Sequence, residues 1–164
     1  MENDVLDQLY QRYAASTLLY CLSLCGDKAL AEDLLADAFV KAYLTLPKEC
    51  PNFQFWLLRV CKNLWLDHLR RQKHFTPDGL SDTLPAPDTP ETQFFSNERR
   101  RALWNALATL SPPDRELVTL HYFSGLPLQE IARFQDRSYA AVRQRLSRLR
   151  HILRQRMEEQ GYDF

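Results

Sequence analysis

Near its C-terminal end the sequence concentrates side chains that hydrogen-bond nucleic acid: Arg143, Gln144, Arg145, Ser147 and Arg148 lie within six residues, RQRLSR. Arginine can pair with O6 and N7 of guanine, and glutamine with N6 and N7 of adenine. Arg150 and Arg154, toward the flanks, suit phosphate oxygens. Covalent chemistry has no comparable set. His68, His74, His121 and His151 are scattered, and no phosphate-cradling glycine loop or nucleophile–base constellation occurs. No catalytic residue, cofactor or small-molecule substrate is therefore expected. Cys21 and Cys25 would share a helix face, but neither a second pair nor histidines at ligand spacing accompany them. With Cys50 and Cys61 they read as reduced thiols packed like small apolar side chains, and no metal is expected.

The elements that must present the arginines read as helix, tight turn, helix over Gly125–Leu146, GLPLQEIARFQDRSYAAVRQRL. A short helix spans Leu126 to Phe134. Ile131 and Ala132 lie where two helices approach closely. Gln135-Asp136-Arg137 forms the turn, and Asp136 can adopt the left-handed backbone that glycine more often supplies there. Ser138 caps a long helix reaching about Glu158, with Val142, Leu146, Leu149 and Leu153 as its buried stripe. The opposite face carries the base-reading side chains, as a helix lying in the major groove requires. Upstream, Ser111-Pro112-Pro113-Asp114 signals a helix start, with that helix running to about Phe123. Another helix occupies Phe94 to Leu110.

Three further amphipathic segments precede these. Leu6 to Leu24 repeats apolar residues at helical spacing, among them Tyr10 and Tyr13, and Gly26-Asp27 ends it and caps the next. Lys28 to Leu46 puts Leu30, Leu34, Leu35, Ala38, Phe39, Ala42 and Leu46 on one face. Phe53 to Lys73 turns Phe53, Trp56, Leu57, Val60 and Leu64 inward, and Trp56 and Trp65 read as core. Between the halves, residues 75–92 hold four prolines and four acids without periodicity, an extended linker. At roughly 3.1 Å per residue it reaches on the order of 55 Å. The fold expected is all-α: two small helical domains joined by an acidic, proline-rich linker, the second containing the helix-turn-helix.

Net charge is zero over 164 residues, but its distribution is uneven. Residues 1–50 carry eight acids against four bases, and residues 59–74 five bases against one acid. Residues 75–98 carry five acids and no Lys or Arg, and residues 133–156 eight arginines against one acid. Two basic blocks flank an acidic spacer, and the local field is what a phosphate meets. No apolar run approaches the length of a membrane span, and the acidic start is unlike a secretory signal, so a cytoplasmic location is expected.

Several segments resemble the extracytoplasmic-function sigma factors of the sigma-70 family. Ala31–Tyr43, AEDLLADAFVKAY, resembles their region 2.2, and Phe53–Arg71, FQFWLLRVCKNLWLDHLRR, their regions 2.3 and 2.4. LSPPDRE at Leu110–Glu116 and the helix-turn-helix resemble region 4. The resemblance implies region 2 over 1–74, a linker over 75–94 and region 4 over 95–164. It implies a chain that binds core RNA polymerase, through the β′ clamp helices and the β flap, and directs it to promoter DNA. Glu32, Asp33, Leu34, Asp37 and Phe39 would dock on the clamp helices. Asn52, Asn63, Asp67, Arg70 and Arg71, with the Lys48–Asn52 loop, would engage the −10 element and its unpaired strand. Ser138, Arg143, Gln144, Arg145, Ser147 and Arg148 would read the −35 duplex. An anti-sigma partner, often membrane-anchored in this family, is also implied. The linker's acids suit either a solvating tether or the lining of a basic polymerase channel. Ala36 stands where the family commonly has Gln, the loop before Phe53 is short, and Gln135-Asp136-Arg137 replaces an apolar-Gly-apolar turn. Neither region 3 nor an added C-terminal sensing domain is expected. An autonomous helix-turn-helix regulator acting as a dimer would explain residues 95–158 but leave residues 1–73 without a role. A sigma-like decoy that occupies polymerase would need a blunted recognition helix, which Arg143, Gln144 and Arg148 argue against.

Overall fold

A computed structural model describes residues 2–45, 50–72 and 98–162, and all its regular elements there are helices. The linker expected at 75–94, and Lys48 and Glu49 of the Lys48–Asn52 loop, lie outside the described residues. The chain divides into two compact units, 1–81 and 82–164, and each is taken by itself.

The first unit packs α1 (Glu2–Cys25), α2 (Lys28–Thr45) and α3 (Phe53–Arg71) around one core. α1 stops at Gly26, whose φ of 70° needs no Cβ accommodation, and Gly26 N–H closes on Leu22 O at 2.8 Å. Asp27 then caps α2, its carboxylate accepting from Leu30 N at 3.2 Å. Tyr20, Cys21, Leu22, Ser23 and Leu24 are all buried, so the end of α1 is enclosed on every side. Against it lie Ala31, Leu34, Leu35, Ala38 and Ala42 of α2. Phe53, Leu57, Val60, Cys61, Trp65 and Leu69 of α3 complete the core. Three alanines facing inward on α2 let the helices approach closely. Asn52 caps α3 through a bond from Phe55 N at 3.1 Å. His68, Arg70 and Arg71 fill its last turn, where the helix dipole favours positive charge.

Several residues depart from the expected stripes. Leu30 and Leu64 are only half-buried, and so is Trp56, while Trp65 is buried as expected. Trp56 stacks on Phe53, their ring centroids 6.0 Å apart. Tyr10, expected on the inner face of α1, is exposed and meets Phe39 edge-on at 4.9 Å.

The second unit comprises α4 (Glu98–Ala108), α5 (Pro112–Tyr122), α6 (Leu128–Phe134) and α7 (Tyr139–Glu159). α7 packs on each of the other three. Its stripe Val142, Leu146, Leu149, Leu153 and Met157 is fully inside, each residue contributing roughly 1.5–3 kcal/mol of burial. α6 begins two residues later than expected. Pro127 has ψ 149°, and a residue preceding proline is pushed out of the helical region. Leu126 therefore lies outside the helix, buried, its N–H bonded to Leu120 O at 3.0 Å. Residues 94–97, read as the start of α4, lie outside the described residues.

Candidate functional site

α6, the turn and α7 form a helix-turn-helix. The turn places Asp136 at φ 54°, the left-handed region that Asp tolerates better than most residues. Arg137 N–H returns to Ala132 O at 2.9 Å and Gln135 N–H to Ile131 O at 2.8 Å, so the end of α6 is satisfied. Ser138 then caps α7, its hydroxyl accepting from Ala141 N at 3.1 Å. That bond commits the Ser138 side chain to the helix start.

Arg143, Gln144, Ser147 and Arg148 are all exposed and lie on the face away from the buried stripe. They form a strip one turn deep whose donors and acceptors match base edges. Tyr139, which sequence reasoning did not single out, stands at the head of this strip with its ring 5.9 Å from the Arg143 guanidinium carbon. A four-residue spacing on a helix puts such a pair in register.

Arg145 is placed differently from its neighbours. Its guanidinium turns back to α5 and grips Asp114 at two points, Nε to Oδ1 at 2.9 Å and Nη2 to Oδ2 at 2.6 Å. The Asp114 side chain is only 11% exposed. Hydrogen bonding from Arg145, more than any other influence, holds the Asp114 carboxyl below its ordinary 3.8. Gln135 in the turn adds a second tie, its Nε2 donating to Pro113 O at 3.0 Å and to Glu116 Oε1 at 3.1 Å. Arg150, expected to suit phosphate, donates from Nε to Tyr122 Oη at 2.8 Å. The partners Asp114, Glu116 and Tyr122 were missed because the acids read only as a favourable helix start, and each lies 19 or more residues from its partner.

In the first unit, Glu32, Asp33 and Asp37 are exposed together on the outer face of α2. Leu34 does not join them. It is 4% exposed and packs inward, because helical spacing from Ala31, Leu35 and Ala38 turns it to the core. Phe39 is half-buried between Tyr10 and Phe53. Along α3, Asn63, Arg70 and Arg71 are exposed, and Asp67 pairs with Arg70 at 3.0 Å. So open a pair contributes little stability. Asn52 is half-buried as the cap of α3. Cys21 and Cys61 are buried, and a hydrogen bond between their thiols together with burial raises the Cys21 pKa. Burial pushes the Cys25 thiol up to about 11. All four cysteines are free.

Two family models match, Sigma-70 region 2 over residues 9–75 and Sigma-70 region 4 over residues 100–153. The ECF RNA polymerase sigma factor SigM of Bacillus subtilis is 30% identical over 156 residues, covering 91% of this chain and 93% of SigM. The ECF RNA polymerase sigma factor BldN of Streptomyces coelicolor is 28% identical over 148 residues, covering 87% of this chain. The chain spans only 56% of BldN's length. Among solved structures, the sigma factor RpoE of Bartonella quintana, bound to the anti-sigma factor NepR, shares the fold. Its TM-score is 0.66 at 21% identity, covering 93% of this chain and 96% of that one.

Proposed function

The chain belongs to the extracytoplasmic-function group of the sigma-70 family, and on that premise we propose that it is a promoter-specificity subunit of RNA polymerase. The observation that carries this reading is the pairing of a region 2 match and a region 4 match, in that order, on one chain. An operator-binding regulator would use the second and leave the first idle.

In this reading α7 lies in the major groove of the −35 duplex. Arg143, Gln144, Ser147 and Arg148 read base edges, and the cap at Ser138 brings the helix N-terminus, with its positive dipole end, toward the backbone. The exposed side of α3, with Asn63, Asp67, Arg70 and Arg71, and Asn52 at its start engage the −10 strand. Opening the duplex then draws on the affinity for unpaired bases. Glu32, Asp33 and Asp37 offer an acidic face to the clamp helices of β′, with Leu34 supporting it from beneath and Phe39 at its edge. The chain contributes binding and the polymerase contributes the phosphoryl-transfer chemistry, so the chain is not itself an enzyme. It acts where polymerase and chromosome are, in the cytoplasm. No described helix is long and apolar enough to cross a membrane. An anti-sigma partner that covers these surfaces would hold the free chain inactive.

The test is to add the purified chain to core polymerase on genomic DNA and to map transcript 5′ ends. Starts at a defined promoter set, present only with the chain, are expected. Failure to bind core polymerase, or starts identical to those of core alone, would overturn the reading.

A further inference from the structure

Arg145 sits in the middle of the arginine run, yet its guanidinium points away from the strip formed by Arg143, Gln144, Ser147 and Arg148. Both of its bonds go to a carboxylate whose side chain is only 11% exposed. The two-point geometry matches the planar fork of arginine to a carboxylate, the arrangement in which such a pair is strongest. Transferring Arg145 to a phosphate would strip the Asp114 charge of its ion-pair partner in a largely enclosed place and leave it to the weaker support of Ser111 and Arg137, which is unfavourable. The anchor itself is firm. Asp114 lies in the first turn of α5, and the next residues, Arg115 through Leu120, are all buried. Gln135 ties the turn to that same first turn of α5 through Pro113 O and Glu116.

Recognition depends on how α7 is rolled about its axis. With side chains a helix is about 10–12 Å across, so a roll of about 20° moves a side-chain tip by about 2 Å. A hydrogen bond to a base edge does not survive that displacement. The apolar stripe of α7 sets its depth in the core, but dispersion contacts are non-directional. The fork to Asp114 supplies direction.

We infer that Asp114 is a positioning residue for promoter recognition: it holds Arg145 off the DNA and locks the roll of α7, so that Arg145 serves base readout without touching DNA. The inference rests on the proposed role of α7 in reading duplex DNA. It reverses the simplest expectation for Arg145, a direct contact with the −35 duplex.

The test uses holoenzymes reconstituted from core polymerase and the full chain, as wild type, Asp114→Asn, Arg145→Gln and the double variant. Each selects from a duplex pool randomised across the upstream element. Closed-complex affinity is then measured against salt concentration at low temperature. Asp114→Asn releases Arg145 to the backbone. Its log affinity should steepen against log salt by about 0.9, one added phosphate contact. Base preference at the selected positions should flatten by about tenfold, the loss of roughly one good side-chain–base pair. Arg145→Gln should flatten preference similarly while leaving the salt slope at the wild-type value. The double variant carries no unpaired charge and keeps an amide pair in place of the fork, so it retains the fold if a single variant does not. Its slope should also equal wild type. A slope lower by about 0.9 in Arg145→Gln or in the double variant, with Asp114→Asn unchanged, would show that Arg145 contacts phosphate and overturn the inference. Selected motifs and slopes that are the same in all four proteins would overturn it as well. Failure of the wild-type holoenzyme to select any motif would instead remove the promoter-recognition reading, and the latch with it.

Discussion

Replacing Arg115 with methionine sets two electrostatic effects against each other, and the geometry decides between them. Arg115 is 2% exposed. It reaches from α5 to the end of α4, Nε donating to Leu107 O at 3.4 Å and Nη2 to Leu110 O at 3.2 Å. Methionine preserves much of the unbranched volume and removes a buried charge. Exchanging a whole buried ion pair for apolar side chains is often neutral, or stabilising by about 1–4 kcal/mol. Here, however, two of the acceptors are backbone carbonyls, which cannot be exchanged with their donor. A buried acceptor deprived of its donor costs about 1–3 kcal/mol. Leu107 O also accepts from Leu110 N at 3.1 Å, and its bond to Arg115 is long, so little is lost there. Leu110 O carries most of the penalty. The bonds to these two carbonyls alone set a net destabilisation of about 2 kcal/mol. Amide hydrogen exchange reads this unit by unit. Protection of the Leu146 and Leu149 amides in α7 should fall about thirtyfold, the equivalent of about 2 kcal/mol, while Leu57 and Leu58 in α3 keep theirs. Equal or greater protection of α7 in Arg115→Met would refute the reasoning, because relief of the buried charge would then outweigh the stranded carbonyls.

Other perturbations give equally direct outcomes. Ser138→Ala removes the cap bond to Ala141 N and should cost about 1 kcal/mol, seen as faster exchange in the first turn of α7; unchanged exchange there would exclude a capping role. The Asp114 carboxyl, held below 3.8 mainly by Arg145, contributes stability that is complete above pH about 4 and is lost as pH falls through its lower folded value. Asp114→Asn should therefore abolish part of the acid destabilisation of the second unit, and identical pH profiles for variant and wild type would contradict this. Arg148→Ala should weaken promoter complexes by roughly 1–3 kcal/mol at a subset of promoters, whereas a uniform loss would assign Arg148 to phosphate. Cys25, raised to about 11 by burial, should alkylate at pH 8 roughly a hundredfold more slowly than an unperturbed cysteine; a free-thiol rate would mean that the end of α1 opens readily.

The features legible in the sequence are those whose causes lie within a few residues. The caps at Asp27 and Ser138 and the turn through Asp136 each depend on a side chain and the first turn of its own helix. The stripe of α7 follows from its period alone. Errors arise where a local rule meets a competing one. Helical spacing through Leu126 extends α6 too far because Pro127 forces the preceding residue out of the helix. Leu34 received two incompatible roles, core by periodicity and surface by motif resemblance, and the core position prevails because its neighbours Ala31, Leu35 and Ala38 fix the buried side of α2. Arg145 lies beyond any local rule. It flanks the apolar stripe, adjacent to Leu146, and a cation there can face a ligand or turn back toward a neighbouring helix. Which one occurs depends on whether the facing helix offers an acid at the right height, and here that acid is 31 residues away. Spacing within a helix thus reveals which side chains can meet DNA, but only the packing of α5 against α7 separates Arg143 and Arg148, which remain exposed, from Arg145, which the fold has already taken.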